Sequence, residues 1–145
     1  MKLSKRTIAI CGSILLLAPV AIIGAHDYRL AYQRGKQIRN MVDLRAVSMS
    51  LEAYNMDFHK FPRSNTVNDL KIYLVPKYIK DLPTVDSWGN ELIYQSNGID
   101  SYTVISLGKD HLPDPKPYVE GPISHFTEDM VITTGGLFVR FPEGT

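Results

Sequence analysis

The pattern that most limits the fold is an uncharged apolar run near the start of the chain. Residues 7–25 contain no charged side chain. As a helix rising about 1.5 Å per residue, this run nearly matches the ~30 Å hydrocarbon core of a bilayer. A signal peptide cleaved after Ala25 is the alternative interpretation. Because the run exceeds the roughly 7–15 apolar residues of a typical signal core, we favour a retained membrane anchor.

The sequence after this run predicts a continuation of the same helix to about Asp57. Residues 26–40 are mostly polar and are expected to form a helical stalk between the anchor and a soluble domain at 41–145, with residues 1–6 as a short tail. Apolar side chains then recur at spacings of three and four, which marks one helix face: Met41, Leu44, Val47, Leu51, Tyr54 and Phe58. We expect this face to pack in the domain core. An oligomer seam is the alternative.

The rest of the chain predicts two hairpins and one short helix. Alternating strands at 91–96 and 101–106 flank Asn97-Gly98, and strands at 130–133 and 137–141 flank a glycine pair. A helix from about residue 67 to 75 has Thr66 and Asp69 as its capping pair. Residues 111–129 are dense in proline and glycine and are expected to form an extended loop. The predicted class is α+β, with a long N-terminal helix, membrane-spanning and then amphipathic, packed on an antiparallel sheet of about four strands.

Composition excludes several classes of function. The formal net charge is +1 and no basic run is present, so nucleic acid is not an expected partner. Because Cys11 is the only cysteine in the sequence, no disulfide can form within one chain. No nucleophile motif, phosphate loop or zinc-helix histidine pair occurs, so we expect a non-enzymatic protein.

Two turns rich in turn-forming residues surround the first hairpin and follow a helix end of distinctive composition. Tyr54 and Asp57 close the helix and precede the Phe61-Pro62 pair. The first turn contains Leu82, Pro83, Asp86, Trp88, Gly89 and Asn90, and the second contains Ser106, Gly108 and Asp110. In this order the segments resemble the major pseudopilin of the bacterial type II secretion system, the general secretion pathway protein G family. The resemblance covers residues 38–110, with a weaker similarity over 129–143.

The resemblance implies a type IV pilin-like fold and a structural role in a secretion or pilus-like assembly. Implied partners are the membrane, other pseudopilin-like subunits or secretion proteins, and further copies of the chain. The implied location is the bacterial inner membrane, crossed once, with the C-terminal domain in the periplasm. The family's phenylalanine-threonine-leucine-x-glutamate start is not found, and Leu17 stands where cleavage after Gly12 would require the glutamate. We therefore expect no processing by a standard prepilin peptidase. A membrane-tethered binding module that does not polymerise is the alternative function.

The resemblance also implies a calcium ion in the loop after the second turn. Carried over by position, Asp110 matches the turn aspartate, Leu107 supplies a backbone carbonyl, and Asp129 matches the distal aspartate. Asp114 is added because it lies in the same loop. Calcium prefers six to eight oxygen ligands, which carboxylates and carbonyls of a flexible loop provide. Zinc held by His111 and His125 is the minor alternative.

Overall fold

In the computed structural model, the backbone of residues 5–143 and the side chains of residues 27–143 are described. A single helix, α1, spans Lys5–Phe58, and the chain divides into two compact units, Met1–Gly35 and Lys36–Thr145. The side chains of the predicted anchor at 7–25 and of the tail at 1–6 lie outside the described part. Among the described residues, no helix has a stretch long and apolar enough to cross a membrane.

Within the second unit, α1 presents its predicted apolar face to the core. Leu44, Val47 and Leu51 are fully buried and Tyr54 is nearly so, which confirms the core interpretation for these residues. Phe58, by contrast, is half exposed at the end of the helix. The helix ends there because His59 takes a left-handed backbone conformation (φ 52°) and its N–H bonds to the Asn55 carbonyl at 2.8 Å.

The sheet has five strands, whereas the sequence predicted about four, all antiparallel. The strands are β1 Ile93–Ser96, β2 Tyr102–Ser106, β3 Gly121–Ile123, β4 Met130–Thr133 and β5 Leu137–Pro142. Their order is β1-β2-β4-β5-β3. The extra strand, β3, pairs in parallel with β5, so the sheet is mixed. β3 was missed because three residues that include Gly121 and Pro122 carry no alternating pattern.

The predicted short helix is present in a shorter form. A 3-10 turn, Asn68–Leu70, leads into α2, Lys71–Leu74. Thr66 Oγ1 accepts the Asp69 N–H at 3.4 Å, which is one of the two bonds of the predicted capping pair, whereas Asp69 Oδ2 accepts the Ser64 hydroxyl at 3.0 Å. Val75 is extended because the proline that follows disfavours helical geometry, and this ends α2.

Hydrogen bonds from α1 to the sheet place the helix against the strands. Ser48 Oγ and Tyr102 Oη are 2.7 Å apart in the interior. Glu52 Oε1 accepts the Tyr102 hydroxyl at 3.0 Å and the Gly135 N–H at 2.6 Å, in the turn between β4 and β5. These bonds fix the helix relative to β2 and to the last hairpin.

Candidate functional site

The first turn is organised by the buried carboxylate of Asp86. Its Oδ1 accepts the N–H groups of Trp88 at 2.9 Å and Asn90 at 2.8 Å, which folds the chain back within four residues. Its Oδ2 accepts Asn90 Nδ2 at 2.8 Å and the Ser106 hydroxyl at 2.9 Å. A buried carboxylate with four donors is well compensated for its lost hydration. Asp86 thus ties the first turn to the end of β2.

Asn90 carries this connection into the second turn. Its Nδ2 also donates to the Gly108 carbonyl at 2.9 Å, and its Oδ1 hydrogen-bonds with His111 Nδ1. At Gly108 the chain passes so close to Thr127 that a Cβ would collide with the Thr127 backbone. Only glycine fits this approach, which packs the second turn against the segment that leads into β4.

Asn40 connects α1 to both turns. Its Oδ1 accepts the Ser87 N–H at 2.7 Å, and its Nδ2 donates to Ser106 Oγ at 3.2 Å. The Asn40 side chain is fully buried, and a buried amide of this kind holds its position through satisfied hydrogen bonds. The two turns and the helix therefore form one polar network under the loop that follows.

Asp114 and Asp129, two of the predicted calcium ligands, lie next to each other. The Asp114 N–H bonds to Asp129 Oδ2 and the Asp129 N–H bonds to Asp114 Oδ2, both at 2.9 Å. The Tyr118 hydroxyl donates to the same Asp129 oxygen at 2.9 Å. This reciprocal pair joins the start of the proline-rich loop to the residue before β4.

Arg140, on β5, binds two carboxylates of this loop with different nitrogens. Nη1 is 2.8 Å from Asp114 Oδ2 and Nη2 is 2.9 Å from Glu128 Oε1. Glu128 Oε2 in turn accepts the N–H groups of Ser124 at 2.6 Å and His125 at 2.8 Å. The guanidinium therefore bridges two segments of the loop to the sheet.

The pKa values of Asp129 and Glu128 are shifted in opposite directions. Burial raises the pKa of Asp129, and the charge of Asp114 adds to this, against hydrogen bonds and Arg140, which lower it. Burial also acts to raise the pKa of Glu128, but the His125 and Ser124 N–H groups and Arg140 outweigh it and leave that pKa lowered. Asp129 Oδ1 is buried without a hydrogen-bond partner in the part of the chain that is described.

The remaining predicted ligands do not join this group. Asp110 is exposed and its Oδ1 accepts the Leu112 N–H at 3.2 Å. The Leu107 carbonyl lies 3.5 Å from Asn90 Nδ2 in the turn network. Over residues 27–143, no three acidic, histidine or cysteine side chains are arranged to hold a metal ion. The unpartnered Asp129 oxygen suits a hard cation, whereas the commitment of Asp114 to Arg140 does not. Calcium stays a prediction.

Sequence reasoning missed Arg140 and Tyr118 as members of this site. Both act through contacts between segments far apart in the chain, which periodicity does not reveal. The available signal was the position of Arg140 inside an apolar strand, between Val139 and Phe141. A charged side chain on such a strand is expected to pair with a buried or half-buried group of opposite charge.

Residues 30–118 match the family model described as type II secretion system (T2SS), protein G, which is more than half of the chain. The chain therefore belongs to the type II secretion system protein G family, the major pseudopilins, which are structural components of secretion and not enzymes. The matched segment includes both turns and Asp114. None of the curated proteins compared with the chain matches it.

Proposed function

We propose that this chain is a membrane-anchored, pseudopilin-like structural subunit or accessory of a type II secretion or type IV pilus-like assembly. The observation that carries this proposal is the family match over residues 30–118, which spans the half of α1 that packs on the sheet. The uncharged run at 7–25 supports attachment to the inner membrane. A cytoplasmic N-terminus, which the family resemblance implies, would leave the C-terminal domain in the periplasm.

The solvent side of α1 offers a surface for a neighbouring subunit. Ile38, Val42, Met49 and Met56, which we call the outer stripe, are between 50 and 77 % exposed. At 3.6 residues per turn these four positions fall within about 40° of one another, on the side of the helix opposite the core face. Exposed apolar side chains that line up in this way are typical of a contact surface.

We assign this outer stripe to the corresponding helix of a neighbouring subunit in the assembly. An apolar stripe repeated at seven-residue intervals suits helix-on-helix packing, because each side chain can fit between side chains of the facing helix. The family match supports this occupant, since the matched segment contains the whole outer stripe. A pilin-like domain that binds a partner without polymerising is the other candidate.

The experiment places a charge in the outer stripe. Met49→Glu, supplied as the sole copy of the gene in the host bacterium, should abolish protein secretion. The reason is that its carboxylate would be buried against the neighbouring subunit without a partner. Ile72→Glu is the matched control, since Ile72 is 80 % exposed on α2 and lies outside the stripe. Both variants should melt at the wild-type temperature. Normal secretion by Met49→Glu would contradict the proposal.

A further inference from the structure

Arg140, on β5, lies among three carboxylates of the proline-rich loop at residues 111–129. Its side chain is 15 % exposed, and those of its partners Asp114 and Glu128 are also largely shielded from water. Asp129 joins the group through its reciprocal bonds with Asp114. Carboxylates brought this close in a shielded environment repel one another unless a cation compensates them. The guanidinium is the cation that the described residues supply at this point.

Asp129 Oδ1 has no hydrogen-bond partner among the described residues, but the contacts of the other carboxylate oxygens oppose a divalent ion. Asp114 Oδ2 already accepts the Asp129 N–H and Arg140 Nη1, and Asp129 Oδ2 accepts the Asp114 N–H and the Tyr118 hydroxyl. Calcium takes six to eight oxygen ligands at about 2.3–2.6 Å, and it would have to compete for these oxygens. The positive guanidinium, 2.8 Å from Asp114 Oδ2, would also repel it.

The backbone around Arg140 explains how one side chain can fasten the loop. Arg140 pairs with Gly121 in the parallel β3–β5 ladder, so it lies where the loop returns to the sheet. From there Nη1 reaches the early part of the loop at Asp114 and Nη2 reaches its end at Glu128. The planar guanidinium donates in two fixed directions, which a lysine ammonium cannot reproduce.

We propose that Arg140 is the built-in cation of this loop and takes the place of the calcium ion that the family resemblance implies. A covalently attached cation is present whether or not calcium is available. The fold of the loop is therefore independent of calcium, unlike a loop closed by an ion whose binding energy becomes folding energy. Glu128 and Arg140 lie beyond the segment that matches the family model, whereas Asp114 lies within it.

Thermal melts of the full-length chain in mild detergent, with calcium and then with excess chelator, test this proposal. The wild-type midpoint should be the same in both. Arg140→Met should lower it by roughly 5–10 °C in chelator, because shielded carboxylates lose their cation. Calcium should restore part of that loss in the variant only. Arg39→Gln, which removes an exposed guanidinium whose single, longer contact with Asp43 is 3.7 Å, is the control and should lower the midpoint much less.

Two results of these melts would overturn the proposal. One is a calcium-dependent rise in the wild-type midpoint, and the other is an Arg140→Met midpoint no lower than that of Arg39→Gln. If Arg140→Met does not fold, Arg140→Lys and the wild type decide the question. The lysine variant keeps a cation at this position but loses the two fixed donors of the guanidinium. It should therefore melt below the wild type and should not respond to calcium. Saturable terbium luminescence from the wild-type chain would show a lanthanide-binding calcium site and would also refute the proposal.

Discussion

At the scale of single residues, Asn90 holds the two turns together more directly than any neighbour does. Its side chain and its N–H bond to Asp86, and its amide also reaches Gly108 and His111. Asn90→Ala removes the side-chain bonds, so that Asp86 Oδ2 keeps only the Ser106 hydroxyl and the Gly108 carbonyl keeps only the His111 N–H at 3.4 Å. We expect a loss of about 2–3 kcal/mol in the free energy of unfolding, measured by denaturant titration. Asn68→Ala, at an exposed position, is the control and should cost less than about 0.5 kcal/mol. Equal effects of the two substitutions would show that the turn network is not a stability element.

At the scale of elements, the end of α1 is strained at His59. Its left-handed backbone (φ 52°) is one that glycine adopts without a steric penalty. His59→Gly should therefore raise the free energy of unfolding by about 0.5 kcal/mol, whereas Lys60→Gly, one residue later, should not raise it. A lower stability for His59→Gly would mean that the histidine side chain contributes more than the strain costs.

The same helix end is joined to the segment after α2 by a carboxylate that titrates. Asp57 Oδ2 accepts Lys77 Nζ at 2.6 Å and the Tyr78 hydroxyl at 2.7 Å, and these two bonds, the Lys77 bond foremost, lower the pKa of Asp57 from its ordinary value of 3.8. Because the folded chain has the lower pKa, the stabilisation is complete above 3.8 and is lost as pH falls through the folded value. The melting temperature of wild type should exceed that of Asp57→Asn at neutral pH, and the gap should close in acid. Asp81→Asn, at an exposed position, is the control, and a gap that persists in acid would contradict the linkage.

At the scale of the whole molecule, local patterns predicted the elements but not the contacts between them. The core face of α1 and both hairpins follow from periodicity and turn residues within a few positions, so Leu44, Val47 and the Asn97-Gly98 turn were predicted correctly. β3 was not predicted, because the ladder described for it is a parallel pairing with β5, the second strand of the last hairpin. The pairing of Asp114 with Arg140 joins residues 26 positions apart, and no local signal encodes it. The two turns were noted in the sequence because they match the family pattern. The structure shows that they form one hydrogen-bonded network with Asn40.

Photocrosslinking in the host bacterium shows whether the outer stripe of α1 packs against a neighbouring subunit. A photoreactive amino acid is placed at Met49 and, as the control, at Ile72, both exposed in the structure. We expect adducts from position 49, either with a second copy of the chain or with another pseudopilin identified by mass spectrometry, and none above background from position 72. A ladder of chain–chain products would identify a filament subunit, and a single adduct with one different pseudopilin would identify an accessory. Equal labelling from the two positions, or no adduct from position 49 while secretion proceeds, would show that the outer stripe does not pack against a neighbouring subunit.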